Sequence, residues 1–535
     1  MASIGIWKGE PCLNVGGRRF CALAGEVHNS TSSDSAWMEA AWKRADKLGI
    51  TSLAVPVTWE LLEPEEGTFD FSQTDSLIVQ ARAHKGHLIL LWFGTWKNAQ
   101  GFYAPEWVKR DLDRFWRAEP ERGKRQIVLQ RYHATYGTFS ALCDETAQAD
   151  ARAFAALMAH LCETDSAEET VVAVQVENEC GLLGVAREHS ELADTLFASE
   201  QVPERLLAAL KEKRELLPDD VRAAVDASGR GSWQETFGET VVADELFQAW
   251  HTASFVERIA SAGKKAYPLL LLANCWLDKG NPAGRYPSGG PVARMLPVWQ
   301  TAAPSIDMVC PDIYVPGFCD VLDAYHRGGN PAGIVETATH SHLGPRAIWS
   351  VCHHHALVFA PFGFEELGEP FMAMQGFLFG MDTKDPALSR PQDPEDYRKT
   401  MVYLQELLDL EEALGDRAGA LDAAISERGL FQTLSFGGAQ LEVRFEEGIP
   451  GAAAILPIRQ AEDPSVAEAY ILGYSASLSF ASGSPELPFE EVLSLEEREA
   501  PCGQWQRARR LNGDELQLLS CEAPTLLNAR IHLFG

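Results

Sequence analysis

Residues 171–179 read VVAVQVENE, a run of small branched apolar residues that ends abruptly in Glu177, Asn178 and Glu179. Its length and β-branched content predict a strand, and the near absence of alternation predicts one covered on both faces, as in a parallel sheet wrapped by helices. A carboxylate is expensive to bury, so one at the end of such a strand requires either a partner or a task.

Working outward, seven more segments of the same kind appear: 20–29 (FCALAGEVHN), 51–59 (TSLAVPVTW), 87–94 (HLILLWFG), 268–276 (PLLLLANCW), 305–314 (SIDMVCPDIY), 332–338 (AGIVETA) and 356–363 (ALVFAPFG). Amphipathic helical stretches lie between them, as at 35–48 and 149–161, where Phe154, Leu157 and Leu161 share a face. Eight strands with helical crossovers predict an α/β fold, a (β/α)₈ TIM barrel. The connection from the fourth strand to the fifth is long, with an acidic helical stretch at 191–217 and a Gly/Ser/Trp loop at 229–238. Insertions of that size usually shape a site. After about residue 415 the period changes to two, as in Leu430, Gln432, Leu434 and in Leu441, Val443, Phe445, with turn signals at Gly437-Gly438 and Asn512-Gly513. The predicted organisation is a catalytic barrel over 1–415 and a C-terminal all-β, sandwich-like domain over 416–535.

Barrel enzymes carry their chemistry where the strands end. Glu179 ends the fourth strand and Glu336 the seventh, which places two carboxylates across one barrel mouth. Such a pair suits hydrolysis of a glycosidic bond: one carboxylic acid protonates the leaving oxygen, and the other attacks or stabilises the anomeric carbon. Glu177 alternates with Glu179 and is a candidate orienting partner. Trp59, Trp92, Trp96, Trp276, Tyr314 and Phe362 supply flat apolar surfaces at the same strand ends, suited to stacking on pyranose rings. Glu26, His28, Asn29, Asn98, Asn178 and Asn274 add short polar groups suited to hydroxyls.

The segment 174–181 (VQVENECG) resembles the acid/base motif of family 35 β-galactosidases, and 58–71 (TWELLEPEEGTFDF) resembles a second-strand signature shared by families 35 and 42. GEVHNS at 25–30, LWFGTWKN at 91–98, YPSGGP at 286–291 and ETATH at 336–340 are similar to a bacterial and fungal branch of these enzymes with an appended C-terminal β domain. The resemblance implies a retaining glycoside hydrolase acting by double displacement on a terminal β-glycosidic bond, with Glu179 as acid/base and Glu336 as nucleophile. It implies sugar contacts from Glu26, His28, Asn29, Trp59, Trp96, Asn98, Asn178, Asn274, Tyr314 and Phe362. Pro56 stands where the family 35 motif has tyrosine, its Cys-Ala-Glu-Trp motif is missing, and Val335-Glu336-Thr337-Ala338 replaces Ser-Glu-Phe-Tyr. What carries over is therefore the catalytic pair; galactose, glucose, fucose and α-L-arabinopyranose all stay open as the sugar.

The net charge of −30 disfavours nucleic acid and anionic membranes as partners, and points to a neutral carbohydrate. The basic run at 109–125 is interleaved with Asp111, Asp113, Glu119 and Glu121 and reads as solvated surface. The opening MASIGIWKGEPCLNVGG lacks a charged segment followed by an apolar one, and eleven cysteines without Cys-x-x-Cys spacing predict reduced thiols. The expected address is cytoplasmic, with homo-oligomerisation left open. No cofactor or metal is called for. A metal-dependent hydrolase, suggested by His340, His342 and His353 to His355, lacks the usual His-x-His on the first strand. A non-catalytic sugar-binding barrel is the other rival, and a lectin would have no need of both carboxylates.

Overall fold

The computed structural model describes residues 2–535 apart from 126, 130–134, 371–375, 377–380, 382, 383, 385, 460–462, 464, 500–505, 517 and 518. The chain opens with an antiparallel meander absent from the sequence reading: β1 (Ser3–Trp7), β2 (Glu10–Val15) and β3 (Arg18–Phe20). Its residues are mostly half-buried, so no strong apolar run announced it.

The barrel follows: β4 (Ala22–Glu26), β5 (Ser52–Thr58), β6 (His87–Lys97), then a small hairpin of β7 (Ile127–Leu129) and β8 (Thr135–Gly137), then β9 (Val171–Asn178), β10 (Leu270–Trp276), β11 (Met308–Ile313), β12 (Glu336–Thr337) and β13 (Val358–Phe359). The eight barrel strands are parallel neighbours in the order β12-β11-β10-β9-β6-β5-β4-β13. Strands β4, β5 and β9 are buried along their whole length, which accounts for their unbroken apolar runs.

The last two strands are shorter than predicted. Pairing nevertheless continues past them through Leu357 N to Ala332 O (2.9 Å), Ala360 N to Ile334 O (2.8 Å) and Phe362 N to Thr337 O (2.9 Å), and a parallel bridge joins Ile334 to Phe359. These bonds complete the ring.

The long crossover between β9 and β10 breaks into separate helices, Glu191–Ser199, Glu204–Glu212 and Asp219–Ala227, of which the last two begin after Pro203 and Pro218. It ends in a 26-residue helix, Val241–Ala266, that packs along Asp144–Asp165.

After the helix Pro394–Leu414, two antiparallel sheets form. One holds β14 (Asp422–Ile425), β17 (Ala452–Ile458), β18 (Val466–Tyr474), β23 (Thr525–Phe534), β20 (Phe489–Glu499) and β21 (Gln506–Arg510); the other holds β15 (Phe431–Phe436), β16 (Ala439–Arg444), β19 (Ala476–Ser482) and β22 (Ser520–Cys521). Gly437 and Gly438, both with positive φ, make the two-residue turn between β15 and β16. Leu434, Phe436, Leu441, Val443, Ile455 and Ile471 belong to a core separate from the barrel's.

The helix Leu343–His353 packs on β14 and β17, and Glu427 accepts bonds from Arg346 Nε (2.7 Å) and His342 Nδ1 (3.2 Å). His353 bonds Asp422 and His354 bonds Asp323, so three of the five histidines of the metal reading hold carboxylates at this junction. Among the described residues no helix is long and apolar enough to cross a membrane, and ten cysteines are free.

Candidate active site

Parallel pairing puts every strand's C-terminal end at one face. In register, Asp312 of β11 sits beside Glu336 of β12, and Lys97 of β6 beside Asn178 of β9. Glu179 follows β9 with φ 45°, and Asn98 and Ala99 after β6 also have positive φ. With Glu177, four non-glycine residues in the left-handed region within two adjacent strand ends mark backbone held to a demanding geometry. The two ends lock together: Ala99 N donates to Glu179 O (3.0 Å), Asn98 Nδ2 to Glu179 Oε2 (2.6 Å), and Glu179 N to Asn274 Oδ1 on β10 (3.0 Å).

A cavity of about 100 Å³ opens over these strand ends. Glu179 and Glu336 both line it. Tyr314 Oη donates to Glu336 Oε1 at 2.5 Å, and burial followed by the charge of Glu336 pushes the phenol well above its ordinary pKa, so it stays a donor. Burial first, and then the charge of Glu336, push the Glu179 carboxyl up to about 7, against the pull of Lys97. Glu179 is therefore an acid poised near neutrality.

Three groups surround this pair. Asp312, held by Asn274 Nδ2 at 2.8 Å, is raised well above the ordinary range by burial and by the charges of Glu336 and Glu179. Glu26 is raised well above by burial and by Glu336. Lys97 is buried, yet the charges of Glu336, Glu179 and Glu26 outweigh desolvation and keep its ammonium protonated. Lys97, Asp312 and Lys279 escaped the sequence reading. Lys97 and Asp312 lie within apolar runs, and only the meeting of strands gives them chemistry.

The predicted residues divide by position. Asn29, Asn98, Tyr314 and Phe362 line the cavity with the two glutamates, and so do Trp276 and Leu277. Asn178 and Asn274 lie buried immediately beneath, and both amide atoms of Asn178 lack a partner among the described residues. His28 keeps a partly exposed side chain edge-on to Phe362, beside Glu366.

Trp59 and Trp96 are corrected. Trp59 begins the short helix Trp59–Leu62, is fully buried against Trp107, and donates to Glu63 Oε2 (2.7 Å). Trp96 is buried edge-on to Phe255. Both side chains are packed among buried neighbours, and neither lines the cavity.

Glu177 does not share the direction of Glu179. With φ 64° it turns to β6, where Oε1 accepts from Thr95 N (3.1 Å) and Oε2 from Trp96 N (2.6 Å). Asp150 completes that clamp, accepting from Trp92 Nε1 (2.8 Å) and Thr95 Oγ1 (2.6 Å). Glu177 thus positions the loop that carries Lys97 and Asn98.

Residues 29–253 match the sequence model of glycoside hydrolase family 42, described as β-galactosidase. Residues 414–520 match a domain of unknown function, DUF5597. No curated protein matches the chain. Among solved structures, a β-galactosidase from Marinomonas ef1 is 14% identical over 73% of this chain and 60% of its own, with a TM-score of 0.45. An exo-β-1,4-mannosidase from Opitutaceae bacterium strain TAV5 is 13% identical over 74% and 61%, at 0.42. A β-galactosidase from Bacillus circulans sp. alkalophilus is 12% identical over 95% and 99%, at 0.46. The chain spans about three fifths of the length of the first two.

Proposed function

Taking the barrel as a glycoside hydrolase domain, we propose that the chain is a retaining exo-glycosidase that cleaves a terminal β-glycosidic bond, β-galactosidase-like, with Glu179 as acid/base and Glu336 as nucleophile. The domains we assign are a catalytic barrel over 1–415 and a β domain over 416–535. The observation that carries the mechanism is the Glu179 carboxyl, pushed up to about 7 in the same cavity as Glu336.

In the first step Glu179 gives its proton to the glycosidic oxygen as that oxygen leaves C1, while a carboxylate oxygen of Glu336 bonds to C1 from the opposite face. Tyr314 holds Glu336 in line. In the second step Glu179, now ionised, takes a proton from water; the water oxygen bonds to C1 and the Glu336–C1 bond breaks, with net retention. Asn178, with both amide atoms free to bond, faces the 2-hydroxyl; Trp276 and Phe362 flank the ring. The narrow cavity supports removal of one terminal sugar, and the free cysteines support a reducing compartment.

The test is azide rescue. In Glu336→Gly, azide fills the vacated space and attacks C1 directly, giving a glycosyl azide of inverted configuration. In Glu179→Gly, an activated aryl glycoside still forms the covalent intermediate, and azide intercepts it with retention. Wild-type turnover in both variants overturns the assignment. A panel of nitrophenyl β-galactoside, β-glucoside, β-fucoside and α-L-arabinopyranoside identifies the sugar.

A further inference from the structure

The ammonium of Lys97 lines the cavity, and the mechanism leaves it without work. Its residue is 6% exposed, and its Nζ lies 4.8 Å from the centroid of the Phe93 ring. Among the described residues it makes no ion pair within 4 Å and no side-chain hydrogen bond, although it carries three donors. The carboxylates that act on it, Glu26, Glu179 and Glu336, do so from beyond that range. Glu26 shows the complementary feature: it is 2% exposed and its Oε1 has no hydrogen-bond partner among the described residues. A buried donor and a buried acceptor that do not satisfy one another are costly unless another group pairs with them. A ligand that presents an acceptor to one and a donor to the other, as neighbouring hydroxyls on a pyranose do, would satisfy both at once.

We propose that Lys97 is a specificity-determining residue of the subsite that holds the terminal sugar, donating to one ring hydroxyl while Glu26 accepts from the hydroxyl next to it. The proposal rests on reading the cavity as the glycosyl subsite. It does not depend on which glutamate does which chemistry. A lysine serves here because an ammonium on a flexible stem can donate to more than one hydroxyl oxygen, whereas the planar fork of arginine is matched to carboxylates and phosphates. Such a pair would also discriminate between sugars, since one that lacks either hydroxyl, or carries it on the other face, leaves a buried polar group unpaired.

The test needs binding and no turnover. Binding of D-galactose and of its 2-, 3-, 4- and 6-deoxy forms is measured by calorimetry on the full chain and on Lys97→Met, with thermal unfolding recorded for both. For the one hydroxyl that meets Lys97, removing the hydroxyl or the ammonium should each weaken binding about 10- to 100-fold, and removing both should weaken it no further. Glu26→Gln should show the same non-additivity at the adjacent hydroxyl. If Lys97→Met does not fold, Lys97→Gln enters the same cycle. Losses that add at every hydroxyl, unchanged affinity in the lysine variant, or no binding of the sugar to the intact chain each overturn the proposal. Lys97-dependent binding without glycosyl azide formation would sink the catalytic reading and leave this one standing; the reverse outcome would do the opposite.

Discussion

Tyr314→Phe removes one oxygen from a buried site and tests the proposed nucleophile directly. The phenol donates at 2.5 Å to Glu336 Oε1 and stays protonated over the range in which the enzyme would work. A hydrogen bond to a charged group is worth about 1.5–3 kcal/mol, or about 10- to 150-fold in a rate if the whole of it is felt in one step. The step can be identified. As the proposed nucleophile, Glu336 would be a carboxylate in the free enzyme, an ester in the covalent intermediate, and a departing carboxylate in the transition state for deglycosylation. The Tyr314 bond is strong where that oxygen is charged and weak where it is esterified. Its loss raises the free enzyme and both transition states relative to the intermediate, so deglycosylation slows most.

With a dinitrophenyl glycoside, whose leaving group needs little protonation, kcat should fall about 10- to 100-fold. KM should fall in parallel because the intermediate accumulates, with a burst of dinitrophenol equal to the enzyme concentration. Thermal unfolding should fall by only a few degrees, because Phe fills the same space and the lost bond is worth about 1.5–3 kcal/mol. An unchanged kcat, or a fall in kcat/KM with no burst, would refute the placing of Tyr314 on a charged, attacking Glu336.

Three further outcomes follow from the geometry. The pH profile of kcat/KM should fall on its alkaline side with an apparent pKa near 7, as Glu179 loses its proton, and Glu179→Gln should abolish that limb while sparing activated substrates; a limb that survives in the variant reassigns the acid. Trp59→Phe should lower stability by about 2–4 kcal/mol in chemical denaturation, through a lost bond to Glu63 and a small cavity, and should leave KM for every sugar in the panel unchanged; altered sugar preference would restore Trp59 to the site. Glu427 is held down at about 2 because bonds and charges from His342 and Arg346 outweigh its burial. Measured against its ordinary 4.5, it contributes about 3 kcal/mol above pH 4.5, and this is lost as pH falls toward 2. Glu427→Gln should therefore unfold at lower temperature than the parent at pH 6, with the gap closing toward pH 2, and a gap independent of pH would mean that the ion pair contributes little.

The barrel strands were legible because burial on both faces writes itself locally, as consecutive Val, Ile and Leu, and because a parallel sheet sends all strand ends to one face. That is why Glu179 and Glu336 could be paired from the sequence, and why Asn29, Asn98, Tyr314 and Phe362 were found with them. The direction of a side chain just beyond a strand is a different matter, because it depends on single backbone torsions. Period two puts Glu177 and Glu179 on one side, but φ of 64° and 45° at the two residues turns Glu177 onto β6 and leaves Glu179 in the cavity. Trp59 looked like a sugar platform by its position at the end of β5, and one helical turn carried it into packing.

Lys97 and Asp312 were invisible for a third reason. Each sits in an apolar run of its own strand, and the charges that give it a role come from β4, β9 and β12, tens to hundreds of residues away in the chain. Sequence by itself determined the architecture and the two carboxylates, since both depend on local pattern and parallel topology. Tertiary structure alone decided the upward shifts of the Glu179 and Asp312 carboxyls and the unpaired ammonium of Lys97, because desolvation and Coulomb interaction act through space and the chain order holds no record of those distances.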